Sequence, residues 1–571
     1  MEKSFCCKRS PLVFKTFLSI LVPTILMNLT TAIGSMADTV IIGQYLDDLS
    51  LSVVTYATPI YMIINTIAAL FAVGGCIAVS VDTGKGDKVS ANRIFSICIE
   101  CLAVLAGIMF FAGVFFSNQI TVMLGAQSEL VFDKVKTYVQ IILLGAPIFI
   151  FNITSAFFVR NDGRPTLSMV GMLLSIGIDI IFNIVFVGFM NMGVAGAAYS
   201  TVLGQGVGLA VIGSHFFSKK STLSFCFAFD TSVFRIMKNG IGSALSFVYQ
   251  FVTIIIMNHY VVKMNGPEGI VVYTVVFNLC TVSLAVFEGL SQTIQPMVSL
   301  YCGEDSNKKI KDSVRLAILS AVIICGSVMV ALEVFPEIVP DMFGITEGKL
   351  AQMSALAVRI YTTSMLIMTI NVIIGNYLQS IELGQITGVL VSLRCCILLL
   401  ACAFVLGEIF GLNGIWSAYV VAEILTFIVF VVMNLIKRKK MSVTGVDADV
   451  FFLDKKIEEN TTSLAFSCDC DKFDDFCGEV RDIADKIEVF SEDVRAHALE
   501  YLSKLRGIIK SEKGKYIEVE FNRCAEKIIV SDNLNHDGLK DEFTKFQRDG
   551  IEYGPVLGFN RICIKGAEKD E

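Results

Sequence analysis

Long apolar blocks separated by short polar breaks fill the chain from residue 13 to 436, and ordinary soluble patterning follows from 441 to 571. Windows of about twenty residues, the length a helix needs to cross a bilayer, pick out twelve spans. They run 13–43, 51–80, 94–116, 135–158, 166–189 and 193–216, then 241–262, 269–297, 314–336, 354–378, 386–406 and 412–436. Strands of a membrane barrel would be about half as long and alternate in polarity, so the pattern predicts helices. In the tail, periodicity predicts a strand in TTSLAFSCD, helices in CGEVRDIADKI and VRAHALEYLSKLRGIIKSE, and a strand pair in KYIEVEFNR and EKIIVSDN.

The two sets of six spans resemble each other. GKGDKVSANR after the second span has a partner in GEDSNKKIKDSVR after the eighth. RNDGRPT sits where QSIELGQIT sits, and GVAGAAYSTV opens span 6 as GLNGIWSAYV opens span 12. Paired six-helix halves are the usual build of a carrier that rocks around a central site. The expected fold is therefore an all-α polytopic membrane protein, with twelve transmembrane helices in two pseudo-symmetric six-helix lobes, plus a small α/β cytosolic domain. Its expected divisions are an N-terminus at 1–12, lobes at 13–216 and 241–436, an inter-lobe linker at 217–240, a basic stop and linker at 437–450 and the α/β domain at 451–571.

Charge sets the orientation. Lys85, Lys88 and Arg93, Arg160 and Arg164, Lys219 and Lys220, Lys308 to Lys311, and Lys437 to Lys440 all lie on one set of loops. The positive-inside rule makes that set cytoplasmic, with both termini inside an inner (plasma) membrane. With 54% hydrophobic and 17% charged residues, the composition excludes a soluble globular protein. The net charge of −7 comes from the tail, which carries 19 Lys+Arg against 29 Asp+Glu. No cleavage site follows the basic opening MEKSFCCKRSPLVFK, so no removable leader is expected. Most of the 17 cysteines lie in apolar blocks, and Cys468, Cys470 and Cys477 lack metal-ligand spacing, so reduced thiols and no metal site are expected.

Asp38 stands as the lone charge of Phe17–Tyr45. A carboxylate in a span costs about 2.5–3.5 kcal/mol, so it is normally paired, facing water and functional. ADTVIIG at 37–43, VDTGKGDKVSANR at 81–93, FFVRNDGRPTLSM at 157–169, GVAGAAYSTVLGQ at 193–205, GLSQTIQPMVSLYCGE at 289–304 and GLNGIWSAYVVAE at 411–423 together resemble the multidrug and toxic compound extrusion (MATE) family over 13–436. The resemblance implies a secondary antiporter, not an enzyme. It would export organic, typically cationic amphipathic, compounds in exchange for H⁺ or Na⁺ by alternating access, with the lipid bilayer as its surroundings and neither cofactor nor nucleic acid.

The resemblance also implies a coupling cluster of Asp38, Asp179, Asn183 and Thr201. The family's Asn-x-x-x-Asp pair is reversed here to Asp179 and Asn183, which still share one helix face. Asn183 and Thr201 equally fit interhelical hydrogen bonding. Glu288 and Glu423 in the second half fit either attraction of a cationic substrate or structural roles. Pro23 fits a helix bend, mechanistic or static. The tail resembles the GHKL-type ATP-binding fold of anti-sigma-factor kinases in degenerate form. Glu500 and Asp532 stand at remnant nucleotide positions, the following Asn is missing, and GPVLGF echoes the last glycine motif. ATP binding is not expected of it. A cytosolic protein partner or nucleotide sensing fits. Two alternatives stay open: a lipid-linked precursor or polysaccharide flippase, which would want a cationic cavity where the spans offer little beyond Arg394, and a membrane-anchored sensor signalling through the tail.

Overall fold

A computed structural model describes residues 10–565 except 47, 127–128, 229, 444–446, 471, 488, 510–511, 513 and 537–550. The expected N-terminal segment 1–12 thus falls largely outside it, as do residues 537–550 and 566–571 of the tail. The first lobe comprises α1 (Pro11–Tyr45), α2 (Asp48–Lys85), α3 (Lys88–Phe115), the short α4 (Ser117–Met123), α5 (Glu129–Asn161), α6 (Pro165–Asn183) and α7 (Gly193–Gly213). The second begins with α8 (Ser232–Gly303), which Gly266 breaks into two spans by adopting φ 58° and ψ −147°. It continues through α9 (Asn307–Val334), α10 (Ile338–Met342), α11 (Gly348–Thr362), α12 (Met365–Ser380), α13 (Gly384–Ser392), α14 (Leu398–Phe410) and α15 (Leu412–Val443).

Among the described residues, eleven helices are long and apolar enough to cross a bilayer, and α11 with α12 makes a twelfth crossing bent by 43°. The span expected at 354–378 is this bent pair. The break falls at Thr363 and Ser364, whose hydroxyls donate back to the carbonyls of Ile360 (2.8 Å) and Tyr361 (2.7 Å) and so compete with the helical ladder. The repeat is visible in the backbone. Gly86 (φ 78°) and Asp305 (φ 55°) turn the chain between corresponding spans, as do Gly163 (φ 77°) and Glu382 (φ 62°). Both α6 and α13 run into a π-helical turn, at Ile184–Phe189 and Leu393–Ile397.

The tail contains α16 (Lys455–Glu459), β1 (Thr461–Ser467), α17 (Phe473–Lys486), α18 (Glu492–Ile509), β2 (Tyr516–Asn522), β3 (Lys527–Asp532), β4 (Ile551–Val556) and β5 (Phe559–Lys565). The strands form an antiparallel sheet in the order β1-β2-β3-β5-β4. Phe476 and Val480 of α17 and Tyr501 and Leu505 of α18 pack with Val519, Phe521 and Val530 of the sheet. The β4–β5 hairpin was not anticipated. GPVLGF is its turn, with Val556 paired to Phe559 and left-handed backbone at Leu557 (φ 50°) and Gly558 (φ 83°), the geometry of a two-residue hairpin loop.

The expected stop and linker also differ. Helix α15 continues through the basic run to Val443. Ala448 and Asp454 then close a bridge, while Tyr377 donates to the Phe451 carbonyl (2.5 Å) and Asn434 to that of Val450 (2.8 Å). Leu453, Leu557 and Phe559 share a core with Leu12, Phe17, Met297 and Tyr301 of the bundle. The tail is docked on one end of the bundle and touches both lobes.

Candidate ion site

The inward face of α6 is polar and its outward face apolar. Ser168, Ser175, Asp179 and Asn183 are buried, while Leu173, Leu174 and Ile181 are exposed. That is the reverse of a soluble amphipathic helix and suits lipid outside with a polar seam within. Ser175, Asp179 and Asn183 fall at successive i, i+4 positions and form one stripe.

Close packing aims this stripe at its neighbours. A Cβ on Gly204 of α7 would lie 2.5 Å from the Ser175 carbonyl oxygen and 2.8 Å from Asp179 Cβ. On Gly34 of α1 it would lie 2.8 Å from Ile176. Only glycine at both places lets α1 and α7 approach α6 this far.

The result brings Asp38, Asp179, Asn183 and Thr201 together. Asn183 Nδ2 donates to Asp38 Oδ1 at 3.1 Å. Asp179 is close enough to Asp38 for their charges to repel, and the hydroxyls of Ser200 and Thr201 lie beside it. Both hydroxyls are oriented to donate to the Ala197 carbonyl, at 2.8 and 2.9 Å. Asp179 Oδ1 and Asn183 Oδ1 are therefore buried with no hydrogen-bond partner among the described residues. Unmatched buried acceptors are costly, and a cation or a proton is one group that would satisfy them. Thus the donor set fits a small hard cation or a shared proton.

Sequence reasoning missed several neighbours. Tyr61 and Tyr138, joined through their hydroxyls at 3.1 Å, lie within electrostatic range of both carboxylates. Asn152 extends the seam by donating to Gln205 at 2.6 Å. Ser175 was legible as the third member of the α6 stripe. Nothing in the sequence joined the tyrosines to it.

Residues 23–185 and 240–406 match the MatE family, which is more than half of the chain. The chain belongs to the MatE family. Among curated relatives, the multidrug export protein MepA of Staphylococcus haemolyticus (strain JCSC1435) is 26% identical over 432 residues, covering 75% of this chain and 94% of the relative. MepA of Staphylococcus aureus (strain MRSA252) is 24% identical over 447 residues, covering 77% and 98%. Among solved structures, the outward-facing conformation of a multidrug resistance MATE family transporter superposes with a TM-score of 0.68 at 21% identity, covering 74% of this chain and 97% of that one. A MATE crystal structure in complex with MaD3S gives 0.70 at 20%, covering 76% and 100%. These proteins are matched almost end to end while about a quarter of this chain remains over, and the family match itself ends at 406, before the tail.

The remaining predicted residues of this MatE transporter are dispersed. Glu423 is buried in the second lobe, accepts a hydrogen bond from Asn371 at 2.7 Å and lies 3.8 Å from Arg394, so its charge is offset internally. Glu288 is half-buried and accepts from Gln292 at 3.3 Å. Pro23 lies inside α1, just before the contact where a Cβ on Gly289 would come within 2.6 Å of Ile25. In the tail, Glu500 is exposed and sits 3.6 Å from Lys504. Asp532 is fully buried and accepts from Tyr501 (2.8 Å), Asn560 (3.0 Å) and the Leu534 amide (3.0 Å). Glu500 thus lies at the domain surface, while Asp532 is held in the domain interior next to Tyr501.

Proposed function

We propose that this transporter exports organic compounds against inward movement of H⁺ or Na⁺, and that Asp38, Asp179, Asn183 and Thr201 hold the coupling cation. The observation that carries the reading is the pair of buried oxygens, Asp179 Oδ1 and Asn183 Oδ1, left without a hydrogen-bond partner beside a second carboxylate, Asp38. A monovalent ion binding there offsets one of two like charges and relieves their repulsion, which changes the electrostatic cost of closing one side of the bundle against the other. The names of the MepA relatives support an organic, drug-like cargo. A cationic amphiphile suits a protein whose central charges include Asp38 and Asp179, and Glu288 adds to the attraction better than Glu423, which Arg394 offsets. Pro23 removes one helical hydrogen bond and gives α1 the freedom to bend as the lobes rock. The lysines and arginines of the loops facing the tail support a cytoplasmic tail in an inner (plasma) membrane.

The experiment is transport by the reconstituted full chain under separate pH and Na⁺ gradients. Wild type moves a fluorescent organic cation under one of the two gradients. Asp38→Asn and Asp179→Asn insert and fold but lose gradient-driven transport. Wild-type rates in both variants would remove the site.

A further inference from the structure

The face of the bundle that carries the tail is held shut by two bridges between the lobes. The first is internal. Arg235, in the opening turn of α8, donates to Asp82 of α2 at 2.9 and 3.0 Å and to Glu382 in the α12–α13 turn at 2.6 Å. Asp82 belongs to the first lobe, Arg235 and Glu382 to the second. The repeat relates α8 to α1, the α2–α3 turn to the α8–α9 turn, and the α12–α13 turn to the α5–α6 turn. It therefore calls for a matching bridge from the start of α1 to the α8–α9 and α5–α6 turns. The start of α1 supplies Lys15, which reaches the tail instead, at the Gly514 carbonyl (3.0 Å).

The tail hairpin takes the place of that second bridge. Arg561 of β5 donates to Glu304 in the α8–α9 turn and to the Thr83 carbonyl at the end of α2, both at 2.9 Å. The side chains of Arg561 and Glu304 are 2% and 1% exposed. The hairpin turn rests on the α5–α6 turn, so closely that a Cβ on Gly163 would lie 2.5 Å from the Gly558 amide nitrogen. Beneath it α2 and α8 are in backbone contact, and a Cβ on Gly303 would meet the Val81 carbonyl at 2.0 Å. The lobes cannot part here while Arg561 holds both Thr83 and Glu304.

We propose that the tail is a latch on the transport cycle and that Arg561 is the positioning residue that clasps the two lobes on this face. The inference rests on the orientation and alternating access proposed above. When the latch opens, the tail stays with the second lobe. It is tethered there through α15, Lys309 pairs with Glu520 at 2.8 Å, Lys527 pairs with Asp305 at 2.9 Å, and Asn307 donates to the Asp454 carbonyl at 2.8 Å. It releases the first lobe, where Lys88 holds the Tyr553 carbonyl (2.8 Å) and Glu552 (3.6 Å), Lys15 the Gly514 carbonyl (3.0 Å), and Ser10 and the Leu12 amide donate to Glu518 (2.6 and 2.9 Å).

The test uses the full chain in lipid, with spin labels placed through unnatural amino acids at Arg93 and Arg315, which are exposed on α3 and α9. Electron–electron distance distributions report separation of the lobes on this face. Arg561→Ala enlarges the long-distance population about threefold or more over wild type, Arg561→Lys falls between, and Arg523→Ala, on an exposed turn of the tail, leaves it unchanged. Lys88→Ala loosens the grip from the first-lobe side and shifts the population the same way, which keeps the test decisive should Arg561→Ala fold poorly. An unmoved distribution in the folded variants would overturn the latch. Wild-type transport rates in Asp38→Asn and Asp179→Asn would instead count against the ion reading and leave the distance readout intact.

Discussion

Asp179 and Asn183 each bury an oxygen without a donor, and a buried group left unsatisfied costs about 1–3 kcal/mol. The cluster depends on how closely α1 and α7 lie on α6, and Gly34 and Gly204 permit those two approaches. Gly204→Ala must move the Ser175 carbonyl or the Asp179 backbone, and overpacking of this kind costs about 1–3 kcal/mol. We expect a lower melting temperature and slower transport. Gly206→Ala, whose added methyl would find only Ile148 at 3.9 Å, should leave both near wild type. Equal losses in the two would show that the close approach is not what aims the cluster. At this scale the sequence displayed Asp38 because it is a lone charge in an apolar run, and the family resemblance supplied its partners. Tyr61 and Tyr138 stayed hidden because only the packing of α2 on α5 brings them to the acids. Glu423 stayed open between substrate attraction and a structural role because nothing in the sequence places Arg394 of the π-helical turn beside it.

The elements were legible where apolar length alone decides them and obscure where side-chain chemistry does. Apolar length located the spans, yet it missed the 43° break in the α11–α12 crossing, which hydroxyls at two adjacent positions produce. In GPVLGF a glycine motif and a hairpin turn look alike, and the register of β4 against β5 decides for the turn. Pro23 is a prediction at this scale. Replacing it by alanine restores one helical hydrogen bond and removes a ring clash worth about 3 kcal/mol in an ordinary helix interior. Pro23→Ala should melt at a higher temperature and turn over several-fold more slowly. Unchanged turnover in a stabilised variant would mean that the proline kink is static.

The two-lobe plan was visible in the paired segments of the sequence. The docked tail was not, because the contacts that seat it join residues several hundred positions apart. Arg561 is held above its ordinary pKa there: burial pulls it down, and Glu304 and Glu552 more than compensate. Breaking such a buried pair from one side costs about 3–5 kcal/mol, so the docked arrangement should persist at moderate salt. Orientation is checked with the chain's own thiols. Cys226, Cys470 and Cys524 are exposed, on the inter-lobe segment and the tail. A membrane-impermeant maleimide should label them in inverted vesicles and leave them unlabelled in intact cells. Labelling in intact cells would place the tail outside.

If the proposed site is right, the first lobe binds a small cation between Asp38 and Asp179. Equilibrium binding to the purified full chain measures it most directly, as radioactive sodium retained at fixed pH together with protons released or taken up. Wild type should bind about one cation per chain and Asp179→Asn none at this site, as for a cation that two carboxylates share. Undiminished uptake by Asp179→Asn and Asp38→Asn would contradict it.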